Sequence, residues 1–363
     1  MLFVKRFIVV IKIFGLNGWH LFGFVVKCKR IMKKILTIAT GGTIASRQDG
    51  SGLTPEMNID EILARVSVSD FCEPHAVQLM NVDSTNMTPE RWLKIADCIR
   101  ENYDRYDGFI VLHGTDTMAY TAAALSYLVQ NSPKPIVITG SQKPIDRDVT
   151  DAKTNLCDAF LYCCHRCAYG VQIVFDGKVI AGTRAKKTRS KSYNAFSSIN
   201  YPYKAIIQDG KVISYTRSKP KKAPFFYDKL DTSVGLFKLI PAADPRILDE
   251  YFKLCDAVII ESFGTGGVPD GEEFGFYDVI DKWRKRGKIA VMCTQVVNEG
   301  SDMTVYKVGR SLKEKYGLLE SYDMTPEAVV CKLMWILALT QKRGEVKRLF
   351  YKNVCQDVLY GEK

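Results

Sequence analysis

The sequence lacks the motifs that mark several large enzyme classes. It contains no GxxxxGK[ST] stretch, so a phosphate-binding loop of that type is excluded, and no Gly-x-Ser-x-Gly elbow, which argues against an α/β-hydrolase triad. The run Gly264-Thr265-Gly266-Gly267 is not a dinucleotide fingerprint, because Pro269 occupies the position of the third glycine. The chemistry of this chain therefore has to come from other loops.

A disulfide framework is missing, although cysteine is plentiful. The eleven cysteines are odd in number and scattered from Cys28 to Cys355, which indicates reduced thiols in a cytosol. The cluster Cys163-Cys164-His165-Arg166-Cys167 lacks a second ligand pair at zinc-site spacing. We therefore expect neither disulfides nor a metal site, and a cytoplasmic location.

A strong excess of positive charge is missing from most of the chain. The net charge is +11, but six basic residues and no acidic ones precede residue 31, which leaves +5 for the rest. So mild a charge gives no reason to expect nucleic acid as a partner, since nucleic-acid binding needs basic residues clustered on one face.

Residues 1–31 differ from the rest of the sequence. Residues 7–26 are mostly apolar and long enough to cross a bilayer, but Lys12, Asn17 and His20 interrupt them at a cost in hydrocarbon. Three interpretations stay open: a poor membrane anchor, a disordered or loosely helical extension, or a mis-assigned start with translation beginning at Met32. The third explains why Met-Lys-Lys leads straight into a strand. We expect no membrane partner unless residues 1–31 are translated.

From Lys33 onward, apolar runs alternate with amphipathic stretches. A composition of 47% hydrophobic and 25% charged residues excludes a disordered, collagen-like or coiled-coil chain. Strands alternating with helices are typical of βαβ units in a parallel sheet. Strands are predicted over residues 35–40, 75–82, 108–112, 135–139, 171–175, 234–240, 257–261 and 289–294. Helices are predicted over residues 59–66, 88–103, 116–129, 151–166, 244–254, 272–285 and 325–339.

The length of 363 residues suits two or three domains. Residues 216–224 carry four basic residues and two prolines, with almost no core-forming side chains, so a linker is predicted there. The predicted fold class is a two-domain α/β protein. An N-terminal catalytic domain (32–215) has a larger, mostly parallel sheet with flanking helices. A linker (216–232) leads to a smaller C-terminal α/β domain (233–363).

Three loops that follow strands are rich in polar side chains. Ligands bind outside the carboxyl ends of strands in open α/β sheets, so these loops are candidates for the site. Each also has a structural interpretation: Thr40-Gly41-Gly42-Thr43-Ile44-Ala45-Ser46 as a tight turn with a capping Thr, His113-Gly114-Thr115-Asp116-Thr117 as a helix cap through Asp116, and Asp83-Ser84-Thr85-Asn86 as an ordinary capping sequence.

Basic and imidazole side chains add one further candidate. The run Arg184-Ala185-Lys186-Lys187 follows a strand-like stretch through Ile180 and is either a solvated charge run or a source of a proton relay. A lysine beside a threonine and an aspartate can serve as a base, because burial lowers a lysine's pKa. His113 stands alone near these loops and is interpreted as a structural histidine.

Taken together, the loops resemble those of the bacterial-type L-asparaginases, which hydrolyse asparagine to aspartate and ammonia. The resemblance runs from about residue 33 to about residue 350, and its first and third motifs are long and specific. A further stretch, residues 192–202, looks like the cytoplasmic, type I branch. The motifs are Thr-Gly-Gly-Thr-Ile-Ala-Ser (40–46), Asp-Ser-Thr-Asn-Met (83–87), His-Gly-Thr-Asp-Thr-Met-Ala-Tyr-Thr (113–121), Ile-Thr-Gly-Ser-Gln (138–142) and Gly-Thr-Arg-Ala-Lys-Lys (182–187).

The resemblance implies a role for each matched side chain. Thr43 is the implied nucleophile, and Thr115 forms a relay with Lys187 and Asp116. Asp116 also grips the substrate's α-amino group, while Ser84 and Thr85 hold its α-carboxylate. The family works without metal or cofactor on a small-molecule substrate, L-asparagine and in some cases L-glutamine. It forms homodimers or homotetramers in which the partner's second domain closes each site.

Two departures from the family pattern stand out. Many relatives carry a tyrosine in a mobile lid after the first motif, whereas residues 47–57 contain none, although Gly50 and Gly52 suit a gate. The enteric type I enzyme uses a cysteine after Thr-Gln for allosteric control, whereas Val296 stands here. We therefore predict no such control.

Two alternatives to an asparaginase stay open. The amidase subunit of an archaeal-type tRNA-dependent amidotransferase shares these motifs, but it carries an added N-terminal domain for which 31 residues are too few. A catalytically silent amino-acid-binding protein on the same fold is the other alternative.

Overall fold

Two separate sheets organise the chain, a larger one that is mostly parallel and a smaller one that is parallel throughout. The structure, a computed structural model, describes residues 6–15, 18–27, 32–49, 52–55, 57–216, 220 and 222–360. In these residues the strands are β1 (Arg6–Gly15), β2 (Gly18–Lys27), β3 (Lys33–Gly41), β4 (Ser46–Asp49), β5 (Gly52–Pro55), β6 (Cys72–Val82), β7 (Gly108–Leu112), β8 (Val129–Gln130), β9 (Pro135–Thr139), β10 (Gly170–Phe175), β11 (Lys178–Ala181), β12 (Ala185–Lys187), β13 (Phe196–Ser198), β14 (Ala205–Gln208), β15 (Lys211–Ser214), β16 (Phe225–Phe226), β17 (Val234–Lys238), β18 (Ala257–Ser262), β19 (Ile289–Thr294) and β20 (Leu319–Glu320). The α-helices are α1 (Ile59–Leu63), α2 (Pro89–Asn102), α3 (Met118–Leu128), α4 (Ala152–Cys164), α5 (Pro245–Leu254), α6 (Phe276–Lys285), α7 (Lys307–Tyr316), α8 (Pro326–Leu339) and α9 (Arg343–Phe350).

The larger sheet has eight strands in the order β15-β14-β11-β10-β9-β7-β3-β6. The five strands from β10 to β6 in this order run parallel, and the other three join antiparallel. β7 and β9 are buried along their whole length, as expected for central strands covered by helices on both faces. The predicted α/β fold class, with a larger, mostly parallel first sheet, is confirmed.

The smaller sheet has the parallel order β17-β18-β19-β20. Helix α8 packs against this sheet on one side and against α3 of the first sheet's layer on the other. Its sequence is apolar around most of its circumference, which is the pattern of a helix buried on all sides. Trp335 of α8 stacks on Tyr127 of α3 with ring centroids 5.8 Å apart. The two sheets therefore share one continuous core.

Part of the predicted linker packs against the first sheet's layer. β16 pairs with β8, and the ring of Phe226 meets that of Tyr103 edge to face at 5.3 Å. The backbone of Tyr227 donates a hydrogen bond to Leu128 O at 2.8 Å. The second half of the linker is therefore anchored rather than free.

Helix boundaries differ from the predictions where turn chemistry intervenes. The helix predicted over 116–129 begins two residues later, at Met118, and Asp116 does not cap it. The helix predicted over 272–285 is divided by Gly275, whose φ of 68° ends a 3₁₀ turn and lets α6 start afresh. Helices α7 and α9 were not predicted, because each has a glycine in its first turn (Gly309 and Gly344), and glycine disfavours a helix.

The N-terminal segment is extended where the structure describes it. β1 and β2 pair antiparallel from Arg6 opposite Lys27 to Gly15 opposite Gly18. The loosely helical interpretation is therefore wrong for these residues, and the remaining residues of 1–31 lie outside the described ones. Across the described chain, no helix combines the length and the apolar character needed to cross a bilayer. A start at Met32 stays a prediction.

Candidate active site

The polar loops meet at the carboxyl edge of the larger sheet, where the strand order reverses. β3 leads to β6 on one side and the chain then crosses to β7 on the other, so a crevice opens between β3 and β7. Such a switch point is where open α/β sheets bind ligands. Thr43 follows β3, Ser84 follows β6, Thr115 follows β7 and Gln142 follows β9.

The loops after β3 and β7 are in direct contact. Gly42 has a φ of 87°, and a Cβ added to it would lie 2.4 Å from the amide nitrogen of Gly114, so only glycine fits. Thr40 Oγ1 reinforces the contact by donating to Leu112 O at 2.7 Å. Thr43 and Thr115 each lie one residue beyond this contact, so the structure brings the two predicted threonines to one place.

Thr43 opens a 3₁₀ turn over Thr43–Ala45 and is half-buried. Among the described side chains, none forms a hydrogen bond with its hydroxyl. The hairpin of β4 and β5 follows at once, and the backbone of β5 lies against the turn. This hairpin occupies the predicted lid, of which Gly50 lies outside the described residues.

Lys187 is hydrogen-bonded to both Thr115 and Asp116, the other two residues of the implied relay. Lys187 Nζ donates to Thr115 Oγ1 at 2.8 Å and to Asp116 Oδ1 at 2.6 Å. The lysine side chain is 17% exposed and that of Asp116 is 58% exposed, so the pair lies at the mouth of the crevice. Lys186 instead pairs with Glu327 at 3.0 Å. The charge run therefore divides between a structural contact and a contact at the site.

Gln142 is a site residue to which the sequence pattern assigned no role. The Thr115 hydroxyl donates to Gln142 Oε1 at 3.2 Å, and Gln142 Nε2 donates to Ser192 O at 3.1 Å. The backbone amide of Gln142 donates to Asp151, and burial raises the pKa of that carboxyl. The available signal was its position, since Gln142 comes soon after a buried strand at the same sheet edge.

His113 is a structural residue, as predicted. It is fully buried; Nε2 accepts from the Thr121 hydroxyl at 2.8 Å and Nδ1 donates to Gly114 O at 2.7 Å. This tautomer follows because the carbonyl of Gly114 can only accept, so Nδ1 carries the proton, and the Thr121 hydroxyl, which accepts from Trp92 Nε1 at 2.9 Å, is left to donate to Nε2. Burial lowers the pKa of His113 to about 4, so the ring is neutral at physiological pH. It steadies the loop that carries Thr115.

In the loop after β6, the Thr85 hydroxyl is hydrogen-bonded, whereas the Ser84 hydroxyl forms no hydrogen bond with the part of the chain that the structure describes. Ser84 is buried against Gly114, and its carbonyl accepts from Thr117 Oγ1 at 2.7 Å. Thr85 is exposed, and its amide and its hydroxyl both donate to Asp83 Oδ1 at 2.8 Å. The capping interpretation of this loop is therefore correct for Asp83. Within the described residues, no three His, Cys, Asp or Glu side chains meet to hold a metal ion.

Two family models match the chain and together cover most of it. "Asparaginase, N-terminal" matches residues 34–220, and "Glutaminase/Asparaginase C-terminal domain" matches residues 233–350. These matches agree with the motifs at the crevice, because every motif loop falls inside the first of them.

Curated relatives are similar over most of the chain. The L-asparaginase of Thermococcus kodakarensis is 36% identical over 90% of this chain and 99% of its own length. L-asparaginase 1 of Escherichia coli is 30% identical over 89% of this chain and 97% of its own. A component of the glutamyl-tRNA(Gln) amidotransferase of Methanococcus maripaludis is 32% identical over 90% of this chain and 81% of its own.

Solved structures show the same fold. The thermostable L-asparaginase of T. kodakarensis superposes with a TM-score of 0.85 at 34% identity, covering 90% of this chain and 100% of its own. A probable cytoplasmic L-asparaginase of Campylobacter jejuni superposes with a TM-score of 0.77 at 27% identity, covering 88% of this chain and 100% of its own.

Proposed function

The chain belongs to the asparaginase family, and from that premise we propose that it hydrolyses L-asparagine to L-aspartate and ammonia. The observation that carries the proposal is the contact of Lys187 Nζ with both Thr115 Oγ1 and Asp116 Oδ1, on the loop that adjoins Thr43. Amide hydrolysis needs a nucleophile, a proton relay and donors for the developing oxyanion. The crevice between β3 and β7 holds candidates for all three.

Thr43 is the proposed nucleophile. Its hydroxyl oxygen attacks the side-chain amide carbon of asparagine, and the carbonyl oxygen gains negative charge in the tetrahedral intermediate. The amide N–H of Thr115 is the proposed donor to that oxyanion. Collapse of the intermediate breaks the C–N bond and releases ammonia. Water then attacks the ester formed on Thr43, frees aspartate and restores the hydroxyl.

The Thr115–Lys187 pair is the proposed proton relay. A threonine hydroxyl is a weak nucleophile at neutral pH, so a base has to take its proton. Residues 47–57 contain no tyrosine, and we propose that the relay on the adjoining loop serves as the acid–base pair for this step. Asp116 balances the charge of Lys187 while the proton moves, and the same relay returns a proton to the leaving ammonia.

Substrate binding is proposed for Asp116, Ser84 and Thr85. Asp116 uses one carboxylate oxygen for Lys187 and has its second oxygen available for the α-amino group of the substrate. Ser84 and Thr85 hold the α-carboxylate. Because both donors of Thr85 are directed at Asp83, its hydroxyl has to rotate away from Asp83 when substrate binds.

Replacement of Thr43 tests the assignment. We expect Thr43→Ala to remove turnover of asparagine, while Thr43→Ser keeps a measurable fraction because its hydroxyl is retained. Ammonia release is measured with asparagine, with glutamine and with buffer alone, on chains started at Met1 and at Met32. A Thr43→Ala enzyme with the kcat of the unmodified protein would refute the nucleophile.

The amidotransferase alternative has the support of the M. maripaludis relative, but that protein is covered over 81% of its length against 99% for the T. kodakarensis asparaginase. Free turnover of asparagine by the purified chain supports the asparaginase. Turnover that needs a second protein component and charged tRNA supports the alternative, and absence of turnover under both conditions supports a silent binding protein.

Assembly, location and domain limits complete the proposal. We propose a cytoplasmic homodimer or homotetramer in which the partner's second domain closes the crevice, divided into residues 32–215, a linker 216–232 and residues 233–363. The C. jejuni neighbour, described as cytoplasmic, supports the location. Light scattering on the protein eluted from a size-exclusion column measures its mass. A 40.9 kDa monomer with full activity would refute a crevice that the partner's second domain closes.

A further inference from the structure

The strand that carries Lys187 lies outside the eight-stranded sheet. β12 pairs only with β13 among the described strands, antiparallel, with Lys187 opposite Phe196 and Ala185 opposite Ser198. A two-stranded hairpin has little stability of its own. Lys187 therefore needs support from elsewhere if its Nζ is to stay within hydrogen-bond reach of Thr115.

Arg184, the residue before β12, reaches into the C-terminal part of the chain. Its side chain is fully buried and forms an ion pair with Asp323 at 2.8 Å, where the carboxylate is 1% exposed. The guanidinium also donates to Asp323 O at 2.7 Å and to Gln356 O at 2.6 Å. Three donors of one side chain are thus satisfied by residues more than a hundred positions away.

Neighbouring residues of the same hairpin make contacts of the same kind. Thr183 Oγ1 donates to Cys355 O at 2.8 Å, and Thr183 O accepts from Thr325 Oγ1 at 3.2 Å. Lys186 pairs with Glu327 at 3.0 Å. Two residues after the end of β13, Asn200 donates to Asp323 O at 3.1 Å and accepts from the amide of Glu299 at 2.8 Å. The interdomain clasp comprises Thr183, Arg184, Lys186 and Asn200 with Glu299, Asp323, Thr325, Glu327, Cys355 and Gln356.

We propose that this interdomain clasp positions Lys187 for the relay, with Arg184 and Asp323 as its central positioning residues. The inference rests on the proposed asparaginase activity. It assigns to the C-terminal domain of the same chain a role in the catalytic apparatus of the first domain.

Strand geometry explains how β12 can both contact the C-terminal part of the chain and hold Lys187 against Thr115. Successive side chains of a strand point to opposite faces, so Lys186 lies on one face of β12 and Ala185 and Lys187 lie on the other. The contacts follow this alternation: Lys186 meets Glu327, Ala185 is buried in the core and Lys187 meets Thr115. A shift of the clasped face therefore moves the catalytic face with it. A displacement of about 1 Å at a reacting group can cost about a hundredfold in rate.

The test compares two buried carboxylates of the same domain. Asp323→Asn removes the charge that faces Arg184. The matched control is Glu320→Gln, because Glu320 is fully buried, pairs with Lys313 at 2.9 Å and accepts from Met303 N at 2.7 Å, all within the C-terminal part. Both variants are studied as the full chain at a temperature where circular dichroism shows them folded.

We expect Asp323→Asn to lower kcat for asparagine about tenfold or more, with KM changed less than about threefold, because Ser84, Thr85 and Asp116 are untouched. The kcat–pH profile should shift as well, since the relay is displaced. Glu320→Gln should keep kcat and the pH profile even where it loses stability. Equal kcat values in the two variants, or an effect confined to KM, would overturn the positioning role.

A second variant keeps the proposal testable if Asp323→Asn does not fold, and a second readout keeps it testable if the protein has no asparaginase activity. Glu327→Gln weakens the partly exposed Lys186 contact without leaving a fully buried charge unpaired, and we expect a smaller fall in kcat, about two- to fivefold. Acetylation of Lys187 by an N-hydroxysuccinimide ester, mapped by peptide mass spectrometry, needs no turnover. It should be several-fold faster in Asp323→Asn than in Glu320→Gln. An equal rate of Lys187 acetylation in the two variants would refute the positioning role of the clasp. Absence of asparagine turnover in the protein without substitutions would refute only the proposed function.

Discussion

Two ion pairs at the ends of one short strand differ in almost every physical respect. Arg184–Asp323, next to the start of β12, has side chains that are 0% and 1% exposed, and each partner has further hydrogen bonds. Lys187–Asp116, at its end, is 17% and 58% exposed and shares its lysine with a threonine hydroxyl. Only the second pair is open to a small molecule entering the crevice.

The difference in exposure suits the buried pair to holding the backbone in place and the exposed pair to reacting with a substrate. Two charges removed from water hold each other in place only if their remaining hydrogen bonds are satisfied, and such a pair cannot exchange protons with a substrate it never meets. A pair in contact with solvent contributes little to stability but can bind, release and transfer protons. The chain thus places a rigid anchor three residues before the lysine of the proposed relay.

The largest effect is expected on activity when the exposed pair is broken. Lys187→Met should lower kcat about 10²–10⁴-fold, because it removes the proposed proton-transfer partner of Thr115. The free energy of unfolding should change by less than about 1 kcal/mol, since a partly exposed pair contributes little. Ammonia release and urea unfolding measure the two effects. If Lys187→Met lost much stability but kept a normal kcat, the exposed pair would be structural rather than reactive, and the contrast between the two ion pairs would be wrong.

The next effect is on stability when the buried pair is broken. Arg184→Met leaves Asp323 buried without a counter-charge and should cost about 3–5 kcal/mol. Adding Asp323→Leu removes that orphan charge, so the double variant should be more stable than Arg184→Met by about 1–2 kcal/mol, although Leu359 N loses its acceptor. Urea unfolding of all three proteins tests this. If the double variant were less stable than Arg184→Met, so that the losses of unfolding free energy from the two substitutions added up, the two side chains would not depend on each other.

The smallest effect comes from His113, a buried ionisable group at the same site that has no counter-charge among the described residues. Its pKa is about 4 in the folded protein against 6.5 ordinarily. Between these values the unfolded chain binds more protons, so stability rises with pH across this window and is lost as the pH falls from 6.5 towards 4. The loss from pH 7 to pH 5 should be about 2 kcal/mol.

The comparison with His113→Gln isolates that contribution. This variant cannot titrate at position 113, whereas every other group titrates as before. Its urea midpoint should therefore depend less on pH than that of the unmodified protein between pH 7 and pH 5. If the urea midpoints of the two proteins changed equally with pH, His113 would already be protonated or already exposed in the folded state.

The fold and most of the crevice were predictable because they depend on local patterns. Buried apolar runs of about five residues mark β7 and β9, and the polar residues directly after such strands have to share one edge of a parallel sheet. Thr43, Ser84, Thr115 and Asp116 could therefore be assigned to one place before any geometry was known. Gln142 satisfies the same rule.

The clasp was not predictable because its partners are remote in sequence. Arg184 meets Asp323 and Gln356, which lie 139 and 172 positions further along the chain. No periodicity or spacing links such positions, and a run of basic residues is more often a solvated face. The division of labour between Lys186 and Lys187 likewise depends on which face of β12 meets the second sheet's layer, and that follows only from tertiary packing.

The contact of Gln356 with Arg184 has a consequence for synthesis of the protein. The lysine hairpin lacks its anchor until residue 356 has been made. At about 5–20 residues per second, the ribosome needs roughly 10–30 s to reach that point after residue 187. Nascent chains that end before residue 356 should therefore hold Lys187 less firmly than chains that include it.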